Sequence, residues 1–162
     1  PFDGINDLKN KTIKHINDTT FIEDSLRVYR AVQFASRFDF KIDDNTKELC
    51  KQIVLNDELS YLPKERVYEE FKKLFLKSEK PSIGFELLRE LGLLKYFQEL
   101  EVLIDCIQEP EYHPEGDVWI HTMMSLDELA RILKEENIED ITLETEIVTS
   151  YSDDKEARWI KK

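Results

Sequence analysis

Glycine and proline are scarce in this chain, four and five among 162 residues. That leaves little turn material for a sheet-rich fold. No apolar run approaches the roughly 18 residues needed to span a membrane, and no signal peptide is visible. Only two cysteines occur, Cys50 and Cys106. They fit no metal-ligand spacing and read as reduced cytosolic thiols, which makes cytoplasm the expected location. Basic surplus is missing too. The formal net charge of −12 argues against indiscriminate nucleic-acid binding. The deficit is uneven, however. Residues 1–100 carry 17 Lys+Arg against 18 Asp+Glu, whereas residues 101–162 carry 6 against 17. A surface for a polyanion is therefore expected in the first hundred residues.

What is present is Leu, Glu and Lys in quantity, with 41% hydrophobic and 36% charged residues. This predicts a mainly α fold of short packed helices with a modest core. The chain begins inside "PFDGINDL", a Gly-containing turn, and reads as part of something longer. The β-branched stretch after it could be a final strand or an extended linker. "NDTT" supplies caps for a helix over about Phe21 to Arg37, and "FDFKIDDNT" is a loop with Asp44 or Asn45 as the next cap. "KELCKQIVL" puts Leu49, Cys50 and Ile53 on one side. Pro63 stands near the start of a helix whose stripe is Val67, Phe71, Leu74 and Phe75. Ser82 is expected to cap the following helix and Gly92 to end it. "FQELEVLIDCI" is apolar at 100, 103, 104 and 107. "EPEYHPEGDV" is a turn-rich break, and Asp117 caps a helix beginning "VWIH". The last dozen residues are expected to be at most a weak helix.

The stretch "FIEDSLRVYR", residues 21–30, carries charge where a core stripe should begin. At ~100° per residue, Val28, Ala31, Phe34, Ala35 and Phe38 fall within about 80° of Asp24, and Arg27 lies inside the same sector. Spacing alone leaves two explanations open. One is an Asp24–Arg27 surface ion pair at a helix end. The other is the wall of a cleft, where Asp acceptors and an Arg fork could read a base edge and Arg30 could meet a phosphate.

"GINDL" followed by "FIEDSLRVYRAVQFASRFDFKID" resembles the class II tRNA nucleotidyltransferases, the CCA-adding enzymes and their bacterial poly(A) polymerase relatives. "LPKERVYEEFKKLFLKSEKPSIGFELLRELGLL" resembles their next block, and "HPEGDVWIHTMMSLDELA" the segment opening an HD-type region. The resemblance covers about residues 1–135, in order. It implies an enzyme that adds C and A nucleotides to the 3′ end of tRNA from CTP and ATP. It implies Mg²⁺ in a catalytic head preceding this sequence, with none bound by the chain itself. By position, Asp24, Arg27 and Arg30 would contact the nucleotide. Glu23, Glu65, Arg66 and Glu69 would support them, and Asp3, Gly4 and Asp7 would form the hinge to the head. The implied division is 1–16 as head end and hinge, 17–108 as helical neck and body, and 109–162 as the start of an HD-like or tail region.

Three positions depart from the family pattern: Ser25 stands where Pro is frequent, Gln33 where many members have Arg, and Asp3 where a hinge glycine is common. The chain also has no Asp-x-Asp pair and no Gly-rich nucleotide loop, so on its own it is not expected to catalyse nucleotide addition. His121 stands where an HD phosphohydrolase has its first metal histidine. The other histidines, His15 and His113, precede it, so no His-Asp pair follows and His121 reads as a surface or packing residue. The alternatives are poly(A) addition by the same family and a non-enzymatic helical RNA-binding module.

Overall fold

A computed structural model describes residues 4–135. Among them are eight α-helices, two 3-10 turns and two two-residue strands. The fold is mainly α, as the composition predicts. The helices are α1 (Gly4–Lys9), α2 (Asp18–Glu23), α3 (Arg27–Phe38), α4 (Asp44–Leu55), α5 (Lys64–Lys77), α6 (Pro81–Glu90), α7 (Gln98–Glu101) and α8 (Val118–Glu135). Strands β1 (Thr12–Ile13) and β2 (Lys41–Ile42) pair in parallel, Thr12 opposite Lys41 and Ile13 opposite Ile42.

The centre is α3, which packs on α5 and α6, with α8 covering the far side of α6. Val28, Val32 and Ala35 of α3 are almost fully buried, in one core cluster with Ile53 and Cys50 from α4 and Leu88 from α6. An aromatic chain continues this core: Tyr29 lies 5.9 Å from Phe71, and Phe71 lies 5.0 Å from Phe97 and 6.1 Å from Phe85. Val67, Phe71 and Phe75 pack against the buried core beside Leu74, as the stripe predicts. Gly84 lets α5 and α6 approach closely; a Cβ there would meet Leu74 Cδ1 at 2.4 Å.

Several local expectations are corrected. The helix expected over 21–37 is two helices, because Asp24 is extended (φ −133°, ψ 93°). Its carboxylate accepts from the Leu26 N–H at 3.3 Å and its carbonyl from the Arg27 N–H at 2.9 Å, a local aspartate turn that ends α2 and leads into α3, whose N-cap is Leu26. The "PFDGINDL" turn is helical from Gly4. Asp43, not Asp44 or Asn45, caps α4, accepting from the Asn45 and Thr46 N–H groups. Ser82 does not cap α6. Pro81 takes the first helical position, and the Ser82 N–H and hydroxyl both donate to Asp127 on α8, at 2.9 and 2.7 Å. In "FQELEVLIDCI" only Gln98–Glu101 is helical, and Ile107 is exposed, bridging to Asp117.

Gly92 (φ +75°) follows α6 as expected, and the Asp117 carboxylate accepts from the Ile120 N–H at 3.0 Å to cap α8. Helix α8 lies against α6 through Trp119, which is 1% exposed and donates its indole N–H to Glu86 at 2.5 Å. Residues 108–117, where the expected division at 108/109 falls, form the loop leading into this helix. Asp3 and the expected terminal helix lie outside the described residues.

Candidate nucleotide-facing site

The break between α2 and α3 decides where the charged residues of "FIEDSLRVYR" point. Phe21 and Leu26 are buried on either side of it and pin the chain to the core. Asp24 is thereby left half-buried at the surface. Of the two explanations that spacing left open, the Asp24–Arg27 ion pair does not form. Arg66, reaching from the first turn of α5, donates through Nη2 to both Asp24 oxygens, at 3.2 and 3.0 Å. Arg27, now the first residue of α3, turns the other way and donates through Nη1 to the Thr20 carbonyl of α2. Arg30 is exposed one turn on, its guanidinium 6.0 Å from the centroid of the Phe34 ring.

The structure thus brings Asp24 and Arg66 into contact, with Arg27 and Arg30 on the adjoining turns of α3. Glu65 and Glu69 are exposed on α5, and Glu23 is exposed at the end of α2. Gly4 and Asp7 lie in α1, at the edge formed with β1. Gln33 faces inward, 1% exposed, and its amide nitrogen has no hydrogen-bond partner. Beside Tyr29 an apolar cavity of about 540 Å³ opens between α3, α5 and the 58–61 turn, lined by Leu59, Val67, Tyr68, Phe71 and Phe97. Burial pushes the Tyr29 hydroxyl pKa up, so it stays protonated there.

Two features escaped the sequence reading. Glu70, on the inner side of α5, is buried and held by Lys73 at 2.9 Å. Its i,i+3 spacing was the available signal. Further along, His113, Glu115 and His121 converge, with donor atoms all within 4.8 Å of one another.

Residues 39–103 match the family described as the probable RNA- and SrmB-binding site of polymerase A. The chain is 43% identical over 136 residues to the Multifunctional CCA protein of Pseudoalteromonas atlantica, covering 82% of this chain and 33% of that protein. It is 42% identical over 136 residues to the Multifunctional CCA protein of Mannheimia succiniciproducens, covering 82% and 32%. Among solved structures, a tRNA-processing enzyme in an apo form superposes with a TM-score of 0.60 at 30% identity, over 87% of this chain and 35% of that one. A tRNA nucleotidyltransferase complexed with a primer tRNA and an incoming ATP analog gives 0.59 at 30% identity, over 87% and 37%.

The fold is that of a helical region of tRNA-processing enzymes. The chain belongs to the family of CCA-adding enzymes and poly(A) polymerases. It spans about a third of the length of the curated relatives it matches.

Proposed function

We propose that this chain is the nucleotide-selecting and tRNA-supporting part of a cytoplasmic tRNA nucleotidyltransferase that adds CCA, or part of it, to tRNA 3′ ends from CTP and ATP. The observation that carries this reading is the interrupted helix at Asp24. The break leaves a carboxylate oriented by the Arg66 guanidinium beside the cationic first turns of α3. A carboxylate held in this way offers fixed acceptors to the donor edge of a base, and a guanidinium offers donors in a rigid fork. In this reading Asp24 and Arg27 select the base, and Arg30 meets the phosphates. Arg66 is a positioning residue acting through Asp24. Glu23, Glu65 and Glu69 shape the surrounding surface, and Gly4 and Asp7 lie in the segment leading from the catalytic head.

Catalysis in this family depends on metal ions, Mg²⁺ in our reading. The sequence has no Asp-x-Asp pair to hold them, and no step through the metal is assigned to this chain. Its contribution is selection and support. Alone, it should not add nucleotides.

The test joins the chain to the catalytic region of a close relative and follows CTP and ATP incorporation into tRNA lacking its CCA end. Asp24→Ala and Arg27→Ala should each relax base choice by ~1–3 kcal/mol, by analogy with bidentate base readout. Unchanged rate and base choice in both variants would remove the template assignment. Arg66→Ala should change discrimination more than overall tRNA affinity, as expected of a residue that orients Asp24. A poly(A) enzyme would ignore CTP. The high identity to CCA proteins favours CCA addition, and incorporation with CTP alone decides between the two.

A further inference from the structure

We propose that His113, Glu115 and His121 form a three-ligand site for a zinc-class divalent cation, clipping the loop at 105–117 onto the first turn of α8. The three side chains come from two separate pieces of structure and meet at one point. The Glu115 carboxylate lies 3.4 Å from His113 Nδ1, and the same oxygen is in hydrogen-bond contact with His121 Nδ1. The two imidazoles stand nearly perpendicular, at 88°, with centroids 5.3 Å apart. Two rings aimed at one carboxylate oxygen from crossed directions leave a point between them that both nitrogens and the carboxylate can face.

A tetrahedral zinc ion with bonds of about 2.0–2.2 Å needs donor atoms roughly 3.3 Å apart. The observed spread, up to 4.8 Å, has to close by side-chain rotation, and none of the three is locked in the core: His113 is 32%, Glu115 15% and His121 50% exposed.

The backbone that carries these ligands is already fixed without an ion. The Gln108 N–H donates to the Gly116 carbonyl at 2.8 Å, the Gly116 N–H to the His113 carbonyl at 3.0 Å, and the Val118 N–H to the Cys106 carbonyl at 3.0 Å. Gly116, at φ +98°, makes the turn that returns Glu115 toward α8. Asp117, next but one to Glu115 in sequence, caps α8 through one oxygen and accepts from the Asp105 N–H at 2.8 Å through the other. It is thus committed to the backbone, and the set stays at three ligands with an open position toward solvent.

Two imidazoles and one carboxylate suit zinc and its first-row neighbours, whereas magnesium and calcium prefer all-oxygen sets. The set differs from an HD-type centre, in which the further ligands follow the first histidine; here both partners precede His121.

The test uses the full chain, stripped with EDTA and titrated with Co²⁺ while visible d–d absorption is followed, then with Zn²⁺ by calorimetry. The expected result is one ion per chain, with Zn²⁺ displacing Co²⁺. His113→Gln, Glu115→Gln and His121→Gln should each weaken binding at least tenfold, with unchanged circular dichroism in the metal-free state. Cys106→Ser should leave affinity as it was. Absence of cobalt absorption, or His113→Gln binding as tightly as the parent, would overturn the proposal. So would loss of binding in Cys106→Ser, since the ligand set would then include the thiolate.

Discussion

Asp24 shows how little of a residue's role lies in its immediate sequence neighbours. Its nearest cation in sequence, Arg27, turns away to Thr20, while Arg66, 42 positions on, takes the carboxylate. The pair is only partly screened from water, with the side chains 30% and 47% exposed. Its net contribution to folding should therefore be small, ~0.2–1 kcal/mol. Arg66→Ala should shift the urea midpoint only slightly, and a large loss of stability would show that the pair is structural.

Gln33 is the opposite case. Its buried amide nitrogen lacks a partner, a cost of ~1–3 kcal/mol. Gln33→Met, similar in volume and free of the amide, should raise the denaturation midpoint. A drop would mean that the nitrogen is satisfied in solution.

At Cys50, burial pushes the thiol pKa up to about 12 from an ordinary value of 9.0. The folded pKa is the higher one. Its stabilising contribution is therefore complete below pH 9 and declines as pH rises from 9 toward 12. A thiol reagent at pH 8 should modify exposed Cys106 at once and Cys50 only after denaturant is added.

At the scale of elements, the apolar period was enough to place most helices. Leu49, Cys50 and Ile53 are buried on one face of α4, and Pro63 precedes α5 by one residue. The period failed where a polar side chain could compete for the backbone. Side-chain directions along 21–37 carry no sign of an extended aspartate whose carboxylate and carbonyl bond the next N–H groups in a turn between two helices. The same limit explains Ser82, whose sequence fits a cap but whose partner, Asp127, belongs to another helix. In 97–107 the apolar spacing was real, yet the chain follows short turns after Glu101 and leaves Ile107 exposed.

Two contacts between elements invite direct tests. Gly84→Ala would place a methyl against Leu74 and 3.2 Å from Ser36 Cβ, and should cost ~1–3 kcal/mol in thermal or urea unfolding. Trp119 fixes α8 to α6 by full burial and its bond to Glu86. Trp119→Ala should cost ~3–5 kcal/mol and expose the α8 segment to hydrogen exchange before α3.

Across the molecule, α5, α6 and both strands pack on α3, so the polar notch at its head sits on a largely buried helix rather than on a loose loop. That placement suits the base-selecting role we propose, because an acceptor displaced by an ångström reads a base edge poorly. The parallel β1–β2 ladder ties the first described segment to the turn after α3, and α8 ties the last to α6. Both ends of the described region are therefore held to the same core.

Composition and apolar period determined by themselves that the chain would be helical, which residues would line α4 and α5, and where Gly92 and Asp117 would bound their helices. These are matters of local propensity and of one face meeting water. The ordered motifs determined the family. Only tertiary structure decided that Asp24 belongs to Arg66, that Gln33 faces the interior, and that two histidines and a glutamate meet beside α8. The reason is the same in each case. Hydrogen bonds and ligand sets are made between atoms a few ångströms apart, and when the partners lie on different elements their proximity is set by packing rather than by spacing along the chain.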